Sequence, residues 1–315
     1  MSAPSSPLFA DLIGQSLAVN LLDAALRTQR LAPAYLFAGP EGVGRRLAAL
    51  RFLEGVLSGG AASDRQRRRL EAGNHPDLLW VEPTFQHQGR LLTRAEAEEA
   101  GVSRRTPPQL RLEQIRAVSR FLGRQPVEAQ RGMVVIEAAE AMPEAAANAL
   151  LKTLEEPGKG LLILLSAAPE RLLSTIRSRC QLIRFLRLEA TALQTVLASC
   201  DATAEDSEEV LALASGSPGA LIAHRELLQA LPTDLLERLA TPPSSARDAL
   251  ALARDLTEAL DGEQQLWLLN WWQQKLWSKG EAASSLRRLE TLRRHLLGFV
   301  QPRLAWEVAL LELVA

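Results

Sequence analysis

Glu137 closes an apolar run, Met133-Val134-Val135-Ile136, that is rich in β-branched residues and short enough to be a strand buried on both faces. A carboxylate at the C-terminal end of a parallel strand is where a phosphate-transferring site holds Mg²⁺, and the next residue is usually an acid that orients the attacking water. Here that next residue is Ala138, which cannot polarise water, and Glu140 lies where its side chain would leave the turn in another direction. A second stretch, Gly39-Pro40-Glu41-Gly42-Val43-Gly44-Arg45-Arg46, has the Gly-x-x-x-x-Gly frame of a phosphate-binding loop. Such a loop continues with Lys, to reach the β- and γ-phosphates, and with Ser or Thr, whose hydroxyl binds Mg²⁺. Arg45 and Arg46 take those positions. A planar guanidinium does not replace lysine freely in a tight cradle, and Arg46 brings a cation to the place of the metal. The third stretch is Ser174-Thr175-Ile176-Arg177-Ser178-Arg179-Cys180, whose arginines are either a solvated face or a finger offered to another subunit's γ-phosphate.

The elements that must position these residues are legible in outline. Ala34 to Ala38 reads as a buried strand, followed at once by the glycine loop and an apolar helix, Leu47 to Leu57. Helical spacing is also present in 16–29 and from Leu112 to Leu122. After Glu137, Pro143 suits the first turn of a helix whose face is Ala146, Ala149, Leu150, Thr153 and Leu154, stopped by Pro157-Gly158. Leu78 to Val81, Leu161 to Leu165 and Leu182 to Phe185 read as further strands. Residues 1–8 read as a loose tail, 58–74 as a surface excursion, and 83–109 as a long loop with at most one helical turn. From Glu189 onward only helical patterns remain, broken at Gly216–Gly219, Leu231-Pro232, Pro242-Pro243 and Gly280. The pattern is a parallel α/β domain followed by an all-α half, with boundaries near 187 and 230.

Composition narrows the partners. The formal net charge of -1 over 315 residues gives no global attraction to nucleic acid or membrane, so any such contact is a local patch. The cluster Arg65, Arg67, Arg68 and Arg69 is either such a patch or a solvated surface helix. Cys180 and Cys200 provide neither a disulfide framework nor a CxxC pair. No basic apolar leader opens the chain and no apolar run approaches a membrane span, so a cytoplasmic protein is expected. Leu266 to Trp272 with Leu276 and Trp277 could stack bases, but an apolar stripe at this spacing reads first as helix packing.

Five segments in order, IGQ at 13–15, GPEGVG at 39–44, HPDLLWVEP at 75–83, MPEAAANALLKTLEEP at 142–157 and STIRSRC at 174–180, resemble the AAA+ subunits of bacterial DNA clamp loaders. The resemblance covers residues 9–187, and SGSPGAL at 215–221 extends it into the helical half. It implies an AAA+ α/β domain over 1–187 with a degenerate P-loop, a helical lid over 188–230 and an all-α collar over 231–315.

The resemblance also implies a role. Arg179 would be an arginine finger acting in trans, with Ser178 and Cys180 setting its loop. Gly39, Gly42, Gly44, Arg45, Arg46, Glu137 and Ala138 would form a nucleotide site without activity. Active motors carry a phosphate-sensing helical arginine in the region where this chain has Ser217-Pro218-Gly219. The expected partners are motor subunits of the tau/gamma type and a delta-type subunit in a pentameric ring, the sliding clamp and primer-template DNA, with ATP bound by the neighbour. Many such subunits carry a four-cysteine zinc module between the P-loop helix and the HPD motif. The interval 58–74 has no cysteine, so no zinc or other cofactor is expected, and His75 reads as a turn or capping residue. Two alternatives remain open: an independent AAA+ ATPase with an unusual Arg-bearing P-loop, and a passive DNA- or protein-binding scaffold.

Overall fold

A computed structural model describes residues 6–100, 107–156, 158–199, 208–241, 243–278, 280, 283–298 and 300–314. Pro157, Cys200 and Pro242, singled out above, lie outside these, as do residues 1–5 of the expected tail.

The chain contacts divide into two compact units, one holding nearly all of residues 1–202 with 216–218, the other mostly 203–215 and 219–315. In the first unit the elements run α1 (Ser16–Arg27), β1 (Ala34–Ala38), α2 (Arg45–Ser58), α3 (Asp64–Glu71), β2 (Leu78–Val81), β3 (Phe85–His87), β4 (Arg90–Leu92) and α4 (Arg94–Glu99). They continue with α5 (Leu112–Leu122), β5 (Met133–Ile136), α6 (Glu144–Glu155), β6 (Leu161–Ser166), α7 (Ser174–Arg177), β7 (Gln181–Arg184) and α8 (Ala190–Ser199). Five strands form one parallel sheet in the order β2-β5-β6-β1-β7.

Strand periodicity sorts the core into two layers. Tyr35, Phe37, Met133, Val135, Leu161, Ile163 and Leu165 face one way, against α1 and α2 residues such as Leu22, Leu26, Phe52 and Leu53. Ala34, Leu36, Val134, Ile136, Leu162 and Leu164 face the other way, against Ile115 and Val118 of α5 and Ala146 and Leu150 of α6. Both faces are covered, which is why these strands are uniformly apolar rather than alternating. This is the α/β architecture expected of an AAA+ domain.

The segment 83–109 differs from the long loop expected. Residues 101–106 lie outside the described residues; the rest includes the β3–β4 antiparallel hairpin and α4, with a bridge between Thr84 and Gln109. The tight turn falls at Gln88 and Gly89, with φ of 47° and 80°. Two successive positive φ values are what a two-residue hairpin turn demands, and a glutamine at the first of them hides the signal. The 58–74 excursion likewise contains α3, capped by Ser63, whose hydroxyl accepts from Gln66 N.

The second unit is all helix: α9 (Glu208–Ala214), α10 (Pro218–Ala230), α11 (Thr233–Ala240), α12 (Ala246–Ala259), α13 (Gly262–Ser278), α14 (Ala283–Leu297) and α15 (Pro302–Val314). The tryptophan stripe of α13 packs as core: Trp267, Leu268, Trp271, Trp272 and Leu276 are buried. The Trp272 ring stacks on Trp306 with centroids 6.3 Å apart, and Trp267 Nε1 donates to His224 Nδ1 at 2.8 Å. Trp277 departs from the stripe and is 69% exposed. No described helix is long and apolar enough to cross a membrane.

Candidate functional site

The glycine loop retains the backbone of a phosphate cradle. Gly42 and Gly44 have φ of 72° and 98°, a region that side chains rarely adopt. Gly39 is required for another reason: a Cβ there would lie 2.3 Å from the carbonyl oxygen of Phe185. Gly39 N donates to Ser166 O at 3.1 Å, which joins the loop to the end of β6. Helix α2 then starts at Arg45 with no side chain capping it. Two residues outside the loop hold its shape. The Gln15 side chain donates to Val43 O and Leu186 O at 3.2 and 2.7 Å and accepts from Leu186 N at 3.1 Å. The Ser217 hydroxyl donates to Glu41 O at 2.6 Å. Gln15 belongs to the IGQ segment, so its motif was visible although its partners were not. Ser217 belongs to the SGSPGAL segment, and its hydroxyl fastens that segment to the loop.

The two arginines leave the loop in different directions. Arg46 lies over the Trp80 ring, with its guanidinium carbon 4.6 Å from the centroid. It pairs with Glu137 Oε1 and lies 3.3 Å from Glu82 Oε1. Trp80 Nε1 also donates to Glu137 Oε1, at 2.9 Å. The carboxylate that a metal would need is therefore engaged by a tethered cation and an indole N–H. Burial pushes the Glu137 carboxyl above its usual range; Arg46 and Trp80 pull it back, and Glu82 adds to the rise. Arg45 turns inward. Burial lowers its pKa, opposed by Glu140, Glu41 and Glu137, and its Nη1 is buried without a hydrogen-bond partner. Glu140 uses one oxygen to accept from Ala167 N at 2.9 Å, while its Oε2 is buried and unpaired. Ala138 occupies the left-handed region, with φ 44° and ψ 54°.

Thus Gly39, Gly42, Gly44, Arg45, Arg46, Glu137 and Ala138 converge at the C-terminal ends of β1 and β5. The pocket has neither a metal-binding hydroxyl next to the loop nor an acid at position 138, so its residues do not fit a Mg²⁺-nucleotide site.

Ser178, Arg179 and Cys180 lie elsewhere. Strand β7 runs parallel to β1 with Gln181 opposite Tyr35 and Arg184 opposite Ala38, so Arg179 comes before the N-terminal end of the sheet and the glycine loop after its C-terminal end. The five residues of β1 separate them, about 16 Å at the usual rise per residue. Arg179 Nη1 donates to Thr175 O at 3.1 Å and Nη2 to Glu155 Oε1 at 2.9 Å. Ser178 Oγ donates to Thr175 O at 3.1 Å. Cys180 is mostly buried, and burial pushes its thiol up to about 12.

The interval without cysteines is organised by charge. Glu54 is fully buried on α2 and accepts from Ser63 N at 2.7 Å and from Arg67 Nε at 3.0 Å. Arg51 joins Asp11 and Glu71, at 2.7 and 2.9 Å. Arg69 pairs with both oxygens of Glu128, at 2.7 and 3.0 Å. Two of the four clustered arginines are therefore bound to carboxylates, while Arg65 and Arg68 are exposed and Leu70 is the residue that α3 buries.

His75 has the turn role expected of it: Nδ1 accepts from Asp77 N at 3.2 Å, and burial lowers its pKa. The role of Asp77 was not foreseen. Its carboxylate accepts from the backbone N–H groups of Val127, Glu128 and Ala129 at 2.6, 2.7 and 2.7 Å, pinning the loop that enters β5. The HPD motif pointed to it, but a partner fifty residues away has no sequence signature.

A family model described as DNA polymerase III, delta subunit, matches residues 14–189, and one described as cyanobacterial DNA polymerase III delta prime, C-terminal domain, matches 191–313. The DNA polymerase III subunit delta-prime of Bacillus subtilis is 35% identical over 189 residues, covering 58% of this chain and 51% of that protein. Its counterpart in Pseudomonas aeruginosa is 37% identical over 196 residues, 59% and 54% of the two chains. The chain thus spans about half the length of the curated relatives it matches. A crystal structure of a DNA polymerase III gamma subunit-related protein from Thermotoga maritima aligns over 93% of this chain and 98% of that one, with a TM-score of 0.55 and 18% identity. That likeness establishes a shared fold.

Proposed function

The chain belongs to the DNA polymerase III delta-prime subunit family, and on that premise we propose that it is a non-hydrolysing subunit of the clamp loader, with no ATPase of its own. Its partners on this reading are tau/gamma-type motor subunits and a delta-type subunit in a pentameric cytoplasmic ring that places the sliding clamp on primer-template DNA during replication. Arg179 supplies an arginine finger to the ATP site of the adjacent motor subunit. The chain itself binds neither nucleotide nor zinc.

The observation that carries this reading is the separation of Arg179 from its own glycine loop by the whole length of β1. A guanidinium before the N-terminal ends of the strands cannot serve a phosphate bound after their C-terminal ends in the same chain. It can serve one bound by a neighbour, and stabilising the charge of a transferring phosphoryl group is what such a finger does. Arg46, Glu137 and Ala138 support the other half of the reading, because together they leave no metal site and no group to orient water.

The test is reconstitution of the assembly with motor subunits and the Arg179→Ala variant. The expected result is normal assembly with ATPase lowered several-fold. Unchanged ATPase would leave only the passive scaffold, and saturable micromolar binding of Mg·ATP to the isolated chain would restore the independent ATPase.

A further inference from the structure

Arg179 has an internal counter-ion. Its Nη2 contacts Glu155, the last residue of α6, while Nη1 holds the Thr175 carbonyl. Both partners of the ion pair are partly exposed, the side chains being 37% and 52% accessible. The placement of Glu155 is not explained by its own helix. A carboxylate in the last turn meets the negative end of the helix dipole, where a cation is favoured, so Glu155 is there at a cost to α6.

We propose that Glu155 is a positioning residue that holds Arg179 in the separate subunit and is exchanged for an anion of the neighbouring subunit on assembly; this rests on the reading of Arg179 as a trans finger. A guanidinium has five N–H donors, of which these two contacts use one on each terminal nitrogen. The Thr175 contact is to a neutral carbonyl, and Arg179 can keep it while turning its other donors to a polyphosphate. Glu155 is different, because its charge repels the incoming anion and competes for the same cation. Exposed ion pairs of this kind are weak, so the exchange is easy; together with the Thr175 contact the pair biases the long side chain toward this rotamer without fixing it. The finger is thereby kept in place without being locked.

The experiment uses the reconstituted assembly containing the full chain. Neutralising Glu155 removes the competitor, and Glu155→Gln is expected to lower the KM of the assembly for ATP by about two- to five-fold, with kcat within about twofold of the parent. Glu155→Ala repeats the measurement with no amide oxygen to replace the carboxylate. In the Arg179→Ala background the Glu155 substitutions should leave KM unchanged, since the effect runs through the guanidinium. A KM that is unchanged or raised in both Glu155 variants overturns the exchange while leaving the finger standing. An Arg179→Ala assembly with parental ATPase removes the finger itself and this inference with it.

Discussion

Arg46 and Glu137, 91 residues apart in the chain, form an ion pair at the position where a P-loop ATPase would bind Mg²⁺. The cation is covalently part of the loop, so the carboxylate is neutralised without a metal. Trp80 contributes on both sides, its indole N–H to Glu137 and its ring face to Arg46. This arrangement ties the first turn of α2 to β2 and to the end of β5.

The isolated chain should accordingly show no heat of Mg·ATP binding by calorimetry at millimolar nucleotide. Arg46→Ser alone should not create binding, because Arg45 still fills the lysine position and Ala138 still lacks a carboxylate. A saturable micromolar isotherm for either protein would refute this account of the site.

Asp77 should make a pH-dependent contribution to stability. Burial raises its pKa, but the three backbone N–H donors of Val127, Ala129 and Glu128 outweigh burial, and the net direction is downward. A carboxyl whose folded pKa lies below its unfolded value stabilises the fold fully above the unfolded value, and the benefit disappears as pH falls through the folded one. Asp77→Asn should therefore cost about 1–3 kcal/mol at pH 7. Urea denaturation should show the gap between the two proteins narrowing below about pH 4, through the ordinary carboxylate range. A gap independent of pH would mean that the charge of Asp77 contributes nothing.

The tryptophan stripe should divide sharply by position. Trp272→Ala removes a ring that is 2% exposed and stacked on Trp306, and should cost about 3–5 kcal/mol by chemical denaturation. Trp277→Ala, at an exposed site, should fall within about 0.5 kcal/mol of the parent. Equal effects would contradict the packing described for α13.

Cys180 should be chemically quiet despite its place beside Arg179. With its thiol pushed up to about 12 by burial, almost none of it is thiolate at pH 8. Peptide mapping after brief iodoacetamide treatment should find Cys180 unmodified in the native chain and modified in urea. Rapid native labelling would place this residue at a far more open site.

Much of the fold was legible because its signals are local. The apolar strands Ala34–Ala38, Met133–Ile136 and Leu161–Ser166, the glycine loop and the α6 pattern all depend on neighbours within a few residues. The hairpin at 85–92 was missed because its turn begins with Gln88, which carries no turn preference of its own and leaves Gly89 as the one local turn signal.

By itself, the sequence determined which groups this loop lacks, since no folding can give Arg46 a hydroxyl or Ala138 a carboxylate. The periodicity of its segments likewise determined a parallel sheet followed by helices. Only the tertiary structure decided where each charge ends up. Register across the sheet puts Arg179 one strand-length from its own loop and beside Glu155, and packing turns Arg46 onto Glu137 and Arg67 onto Glu54. Ion pairs between distant residues follow from how the chain is brought together, and nothing in local composition or spacing specifies them.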